Sequence, residues 1–244
     1  MKEKLYTIPV NDAFDTDCEC PVCAMRQVLE NNAVEYTLGP SYMEDDVRME
    51  TDRVGFCREH MRMLNLQKNR LGLALIMKTH IDRTNREIRK LAETPSKAAK
   101  MFKKGQPGPV AEYIDTLNHS CFICDRIENT FYRYIPTIVF LWKTEPEFRK
   151  KYQECKGFCT EHYGLLVKEA PRHLKENELT EFMEETTRLY LDNMQRLADD
   201  LEWFADKFDY RHQNDPWKNS KDAIPRGIVK TNGILEEVRE KENN

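Results

Sequence analysis

Apolar side chains recur at helical spacing along almost the whole chain, and the strict alternation of a half-buried strand is hard to find. Val22, Met25, Leu29, Ala33 and Tyr36 form one stripe. Ile123, Ile127, Phe131, Tyr134, Ile138 and Leu141 form a second, in which Pro136 is expected to bend the helix. The longest runs from Leu179 through Phe182, Thr186, Leu189, Asn193, Leu197, Leu201 and Phe204 to Phe208, about eight turns of amphipathic helix. Its counterpart runs from about Cys57 to Leu91 and carries Leu64, Leu71, Leu73, Leu75, Met77, Ile81 and Ile88. The pattern predicts an all-α protein.

Periodicity lapses in two places. Residues 93–109, ETPSKAAKMFKKGQPGP, hold three prolines, two glycines and a cluster of lysines, the composition of a linker. After Tyr210 the stripe stops, although Trp217, Ile224, Ile228, Ile234 and Leu235 suggest that part of this tail docks on the body.

The two periodic halves repeat each other. Cys20-Pro-Val-Cys23 is followed by Gly55-Phe56-Cys57-Arg58-Glu59-His60, and Cys121-Phe-Ile-Cys124 by Gly157-Phe158-Cys159-Thr160-Glu161-His162. The offset is 101 residues at the first cysteine and 102 at the histidine. Such self-similarity marks a duplicated unit whose copies pack together. The expected organisation is a first repeat over 1–93, a linker over 94–109, a second repeat over 110–210 and a tail over 211–244, with the duplicated helical units packed as one bundle-like domain.

The repeated residues carry the chemistry. Three thiolates and one imidazole are a standard closed ligand set for tetrahedral zinc, and each half contains that number. C-x2-C and C-x2-H pairs each place two donors on one helical turn, and both sit where a helix would begin. Helix N-termini would then bring positive ends to the thiolates. The expectation is two zinc ions per chain, each held from within one half: Cys20, Cys23, Cys57 and His60 for the first, and Cys121, Cys124, Cys159 and His162 for the second. An iron-sulfur cluster is the alternative cofactor. With the cysteine as N-cap, Glu59 and Glu161 fall in the first turn, where negative charge is favoured. Cys18, Cys155 and His119 are left over, and His80, His173 and His212 have no companion at ligand spacing.

Composition narrows the setting. Eight cysteines in a 244-residue chain that is long enough to bury its own core point to thiols kept reduced for metal binding or redox chemistry. The first residues lack the apolar core of a secretory signal, and no apolar stretch approaches the roughly 20 residues that span a bilayer, so the expected location is the cytoplasm, away from membranes. Net charge is −4 overall, yet residues 53–104 hold fourteen Lys/Arg against four Asp/Glu, and residues 175–209 hold four against eleven. A basic face carrying Arg58, Arg62, Arg83, Arg86, Arg89 and Lys90 would suit nucleic acid or an acidic partner, but the favoured reading is that the two charged segments pack against each other or solvate opposite faces. No Ser-His-Asp set, phosphate loop or carboxylate pair stands out, which argues against an enzyme.

The paired C-x-x-C and G-F-C-x-x-H elements, together with the tail segment Lys221-Asp-Ala-Ile-Pro-Arg-Gly-Ile-Val229, resemble an uncharacterised bacterial family of cysteine-rich helical proteins, a domain of unknown function. The likeness covers nearly the whole chain and implies the duplicated eight-ligand pattern, but no activity. The function expected is therefore a zinc-stabilised scaffold or interaction protein with an unidentified protein partner. A regulatory or nucleic-acid-associated protein, or a redox or metal sensor, are the competing readings.

Overall fold

The computed structural model describes residues 4–93 and 107–233, and among them all regular structure is helical. Most of the expected linker, residues 94–106, lies outside the described residues, as do Ile234 and Leu235. The basic residues Lys97, Lys100, Lys103 and Lys104 fall there too.

The helices are α1 (Lys4–Phe14), α2 (Pro21–Leu38), α3 (Asp45–Val54), α4 (Arg58–Leu66), α5 (Arg70–Glu93), α6 (Pro109–Asn118), α7 (Phe122–Phe131), α8 (Tyr134–Thr144), α9 (Pro146–Glu154), α10 (Thr160–Glu169), α11 (Glu176–Asp206) and α12 (Ala223–Asn232). Short 3-10 turns at Pro40–Met43 and Ala170–Arg172 connect some of them. The helix expected to run unbroken from Cys57 is two helices, α4 and α5. Asn69 separates them by accepting the Gly72 amide at 2.9 Å and donating its own side-chain amide to the Leu38 carbonyl at 2.8 Å. The stripe of residues 123–141 is likewise divided, with its break at residues 132–133. Pro136 then lies in the first turn of α8, where its missing N–H costs nothing.

Two compact units emerge. The first joins the residues up to Val28 to those from Phe131 onward, and the second is Leu29–Thr130. In the first, α11 supplies the long apolar stripe, with Phe182, Thr186, Leu189 and Leu197 buried. Phe148, Tyr152, Phe158 and Phe182 lie wholly buried there, and Phe14 from α1 packs on three of these rings at centroid distances of 4.9–6.3 Å. Burying aromatic rings of this size is the largest single apolar gain available to a helical core. Polar ends within that core are satisfied: Tyr152 meets Thr186 at 2.7 Å, and Trp142 donates to Glu185 at 2.8 Å.

The tail docks. Helix α12 belongs to the first unit, with Ala223 and Lys230 fully buried. In the second unit, α3 and α5 pack together over Val47, Val54, Leu73 and Ile76.

Candidate metal centres

Each of the four donor pairs, two Cys–Cys and two Cys–His, is built by the same local device. Cys20, Cys57, Cys121 and Cys159 precede the first residues of α2, α4, α7 and α10, and their carbonyls accept the first helical hydrogen bond from Ala24, Met61, Asp125 and Tyr163 at 2.9–3.1 Å. They are N-caps. The second donor of each pair, Cys23, His60, Cys124 or His162, then stands three residues on, beside the capping sulfur. The amides of Cys124 and His162 donate to the sulfurs of Cys121 and Cys159, each at 3.5 Å. A thiolate is thus stabilised both by the N-terminal end of the helix dipole and by a direct N–H.

Two of these turns need glycine. Gly55 and Gly157 have φ of +65° and +73°. A Cβ on Gly157 would lie 2.9 Å from the Leu189 carbonyl oxygen, and one on Gly55 would lie 2.6 Å from the His80 ring. His80, unremarkable in sequence, fills the space behind this turn and bonds the Asp52 carbonyl through Nδ1 at 2.9 Å.

The eight expected ligands gather into two groups, but not as expected. Cys20, Cys23, Cys159 and His162 form one, and Cys57, His60, Cys121 and Cys124 form the other, the four donor atoms of each lying within 4.8 Å of one another. The expectation that each half supplies all of its own ligands is therefore corrected: every group takes its C-x2-C from one repeat and its C-x2-H from the other. The cause is visible in the second unit. Phe122 N–H donates to the Gly55 carbonyl at 3.0 Å, and Ser120 Oγ donates to the Val54 carbonyl at 2.6 Å, which seats the second C-x2-C against the first G-F-C turn. Phe56 and Phe122 close over this junction edge to face at 6.3 Å.

In the first unit the equivalent donors are missing, because Pro21 and Glu19 stand where the second repeat has Phe122 and Ser120. Lys230 of α12 replaces them. Its ammonium, with no exposed surface, donates to the Glu19 carbonyl at 2.6 Å and to the Lys156 carbonyl, spanning the corresponding gap. The Glu19 carboxylate, also buried, takes Arg196 at 2.5 Å and lies 3.7 Å from Arg226. Burial pulls the Lys230 pKa below its usual value, opposed by the charge of Glu19. Sequence reasoning missed Glu19, Arg196 and Lys230; the only signal was that Arg226 lies in, and Lys230 just after, the tail segment that carries the resemblance.

The two groups differ in surroundings. Cys20, Cys23, Cys159 and His162 are at most 4 % exposed. Here His162 Nδ1 faces the three sulfurs at 3.2–3.5 Å, while its Nε2 is buried without a hydrogen-bond partner, against the Phe131 ring at 5.6 Å. In the other group His60 Nδ1 faces its sulfurs at 3.2–3.3 Å and its Nε2–H donates to Glu30 Oε1 at 3.0 Å. Cys121 and His60 are buried, whereas Cys57 and Cys124 are half-buried. Glu30 and Phe131 are 101 residues apart, the offset of the repeat, so one repeat position holds a carboxylate in one site and a phenyl ring in the other.

Electrostatics within the groups follow from proximity. Hydrogen bonds from Cys20, Cys23 and His162 hold the Cys159 thiol far below the usual range, and burial with the neighbouring thiols pushes Cys20 well up. Burial also raises Cys121, but the His60 hydrogen bond and nearby amides outweigh it and bring the thiol to about 6. Burial opposes the His60 charge, yet hydrogen bonds to Cys121 and Glu30 carry its pKa to about 10. Each group thus favours thiolate character in at least one cysteine.

Cys18 and Cys155 are half-buried and lie outside both groups, and His119 is exposed and bonds the Asp115 carbonyl at 2.7 Å. On the basic stretch, Arg53, Arg62 and Lys78 pair with Glu50, Glu59 and Asp82 of their own helices. Among the described residues no helix is long and apolar enough to cross a membrane.

Fold and sites together define an all-helical protein with two Cys/His groups, each suited to a metal ion. The chain belongs to a family of unknown function (DUF6062), which it matches over residues 1–238. Comparison with curated proteins and with solved structures finds no match.

Proposed function

We propose that the chain is a zinc-organised helical scaffold of the reducing cytoplasm that binds two single ions, one at Cys20, Cys23, Cys159 and His162 and one at Cys57, His60, Cys121 and Cys124. The observation that carries this reading is the closeness of four donors in each group. A tetrahedral zinc ion with about 2.3 Å to sulfur and about 2.0 Å to nitrogen sets its ligands roughly 3.5–3.8 Å apart. Eight of the twelve donor pairs lie 3.2–4.0 Å apart, and all lie within 4.8 Å. A multi-iron cluster binds its cysteines through different iron atoms, which spreads the sulfurs further than the 4.8 Å limit found in either group. Three cysteines and a histidine close the coordination shell, so the ion would organise structure and leave no position for substrate.

The ion also balances charge. Three thiolates against a dication leave a net −1, which two converging helix N-termini offset at each site. Elemental analysis with X-ray absorption on anaerobically purified protein tests the reading. Two zinc per chain with sulfur and nitrogen neighbours is the expected result; iron–iron scattering or no metal would overturn it.

A further inference from the structure

We infer that the Cys57–Cys124 pair is a site of reversible oxidative modification, at which a peroxide joins the two thiolates in a disulfide and thereby opens this metal site while the other stays closed. The inference rests on the metal reading above and adds a division of labour between the sites. Three differences carry it.

Access differs first. Cys57 and Cys124 are half-buried, while every ligand of the other group is at most 4 % exposed. A small oxidant in solvent reaches the first pair and not the second. Geometry is next: the two accessible sulfurs lie 4.0 Å apart, so a bond between them needs only a local adjustment of the capping Cys57 and of Cys124 in the first turn of α7. Electron density is third. Glu30 accepts the His60 Nε2 proton at 3.0 Å, and a carboxylate behind a ligating imidazole makes it a stronger donor. A more electron-rich site keeps its thiolates more nucleophilic. In the other site Phe131 stands at the equivalent position, His162 Nε2 has no acceptor, and the buried Lys230 ammonium lies nearby on Glu19 and Lys156.

The chemistry balances. One thiolate attacks a peroxide oxygen, the O–O bond breaks, and hydroxide leaves and is protonated to water, giving a sulfenic acid. The second thiolate attacks that sulfur, the S–S bond forms, the S–O bond breaks, and a second hydroxide leaves as water. Two thiolates have lost two electrons, and the peroxide has gained them with two protons from solvent. The site is left with Cys121 and His60, too few donors for tight binding. The new bond still ties α4 to α7, so the local fold outlasts the metal.

The test uses the full-length protein as purified, both unsubstituted and with Cys18→Ser and Cys155→Ser to remove the competing thiols. One equivalent of hydrogen peroxide is added under a chromogenic chelator, and the products are mapped by mass spectrometry. The expected result is release of one of two metal equivalents, a Cys57–Cys124 linkage in both proteins, unmodified Cys20, Cys23 and Cys159, and recovery with dithiothreitol and zinc. Release of both equivalents together, oxidation of the sealed site, or a bond from Cys121 to Cys124 would overturn the inference while leaving the metal reading intact. A purified chain without metal would remove both.

Discussion

Cys23 and Cys159 stand in different sequence repeats but in one metal group, and paired serine substitutions test that crossing directly. Cys23→Ser and Cys159→Ser should each remove one metal equivalent, and the double variant should still remove only one. Cys23→Ser combined with Cys57→Ser should remove both. Ligands drawn from within each half would invert these two results. The magnitude follows from the chain that each site closes. Cys23 and Cys159 are 136 residues apart and His60 and Cys124 are 64 apart, for which the chain-entropy relation gives about 5 and about 4 kcal/mol respectively. Urea unfolding of the singles should therefore show losses of this order. In the same-site double variant the second substitution should add little, because a broken cross-link cannot be broken twice. Metal content by mass spectrometry and unfolding midpoints are the assay. Two equivalents lost from Cys23→Ser with Cys159→Ser, or fully additive destabilisation, would refute the crossed assignment.

Glu30→Gln should lower affinity at the Cys57, His60, Cys121, Cys124 site by about 10–100-fold and leave the other unchanged, read by competition with a calibrated chelator; equal weakening of both sites would remove Glu30 from the argument. Lys230→Met should cost about 2–4 kcal/mol, since two carbonyls lose a charged donor while the desolvation of that donor is recovered, and should favour metal loss from the buried site; an unchanged melting temperature with normal metal retention would count against the strap. In protein stripped of metal, the raised His60, at about 10, contributes stability that is complete below its ordinary 6.5 and lost as pH rises through about 10. The lowered Cys121, at about 6, contributes stability present above its ordinary 9.0 and lost as pH falls through about 6. Urea midpoints in chelator should accordingly fall on both flanks of the intermediate range, and a steady rise from pH 6 to 10 would contradict the imidazolium–thiolate pair.

What the sequence determined by itself is local in origin. The amphipathic stripes specify helices, because a 3.6-residue period sorts side chains onto one face wherever that face is later buried. The duplicated C-x2-C and G-F-C-x-E-H segments specify N-cap donors three residues from a second donor, since cap, glycine turn and helix start all lie within one turn of chain. The eight residues that gather into the two Cys/His groups were legible for that reason. Their pairing was not, because the two copies carry the same residues at nearly the same offset, and either partner satisfies the same ligand chemistry. Only long-range contacts choose between them: Ser120 and Phe122 seat on Val54 and Gly55 in one unit, and Lys230 reaches Glu19 and Lys156 in the other. The asymmetry between the sites was equally hidden. Glu30 and Phe131 read as ordinary positions in amphipathic helices until the tertiary structure sets one behind His60 and the other against His162. A side chain's effect on a metal site depends on distance in space, and the chain folds so that residues 30 and 131 acquire their roles only after the helices have packed.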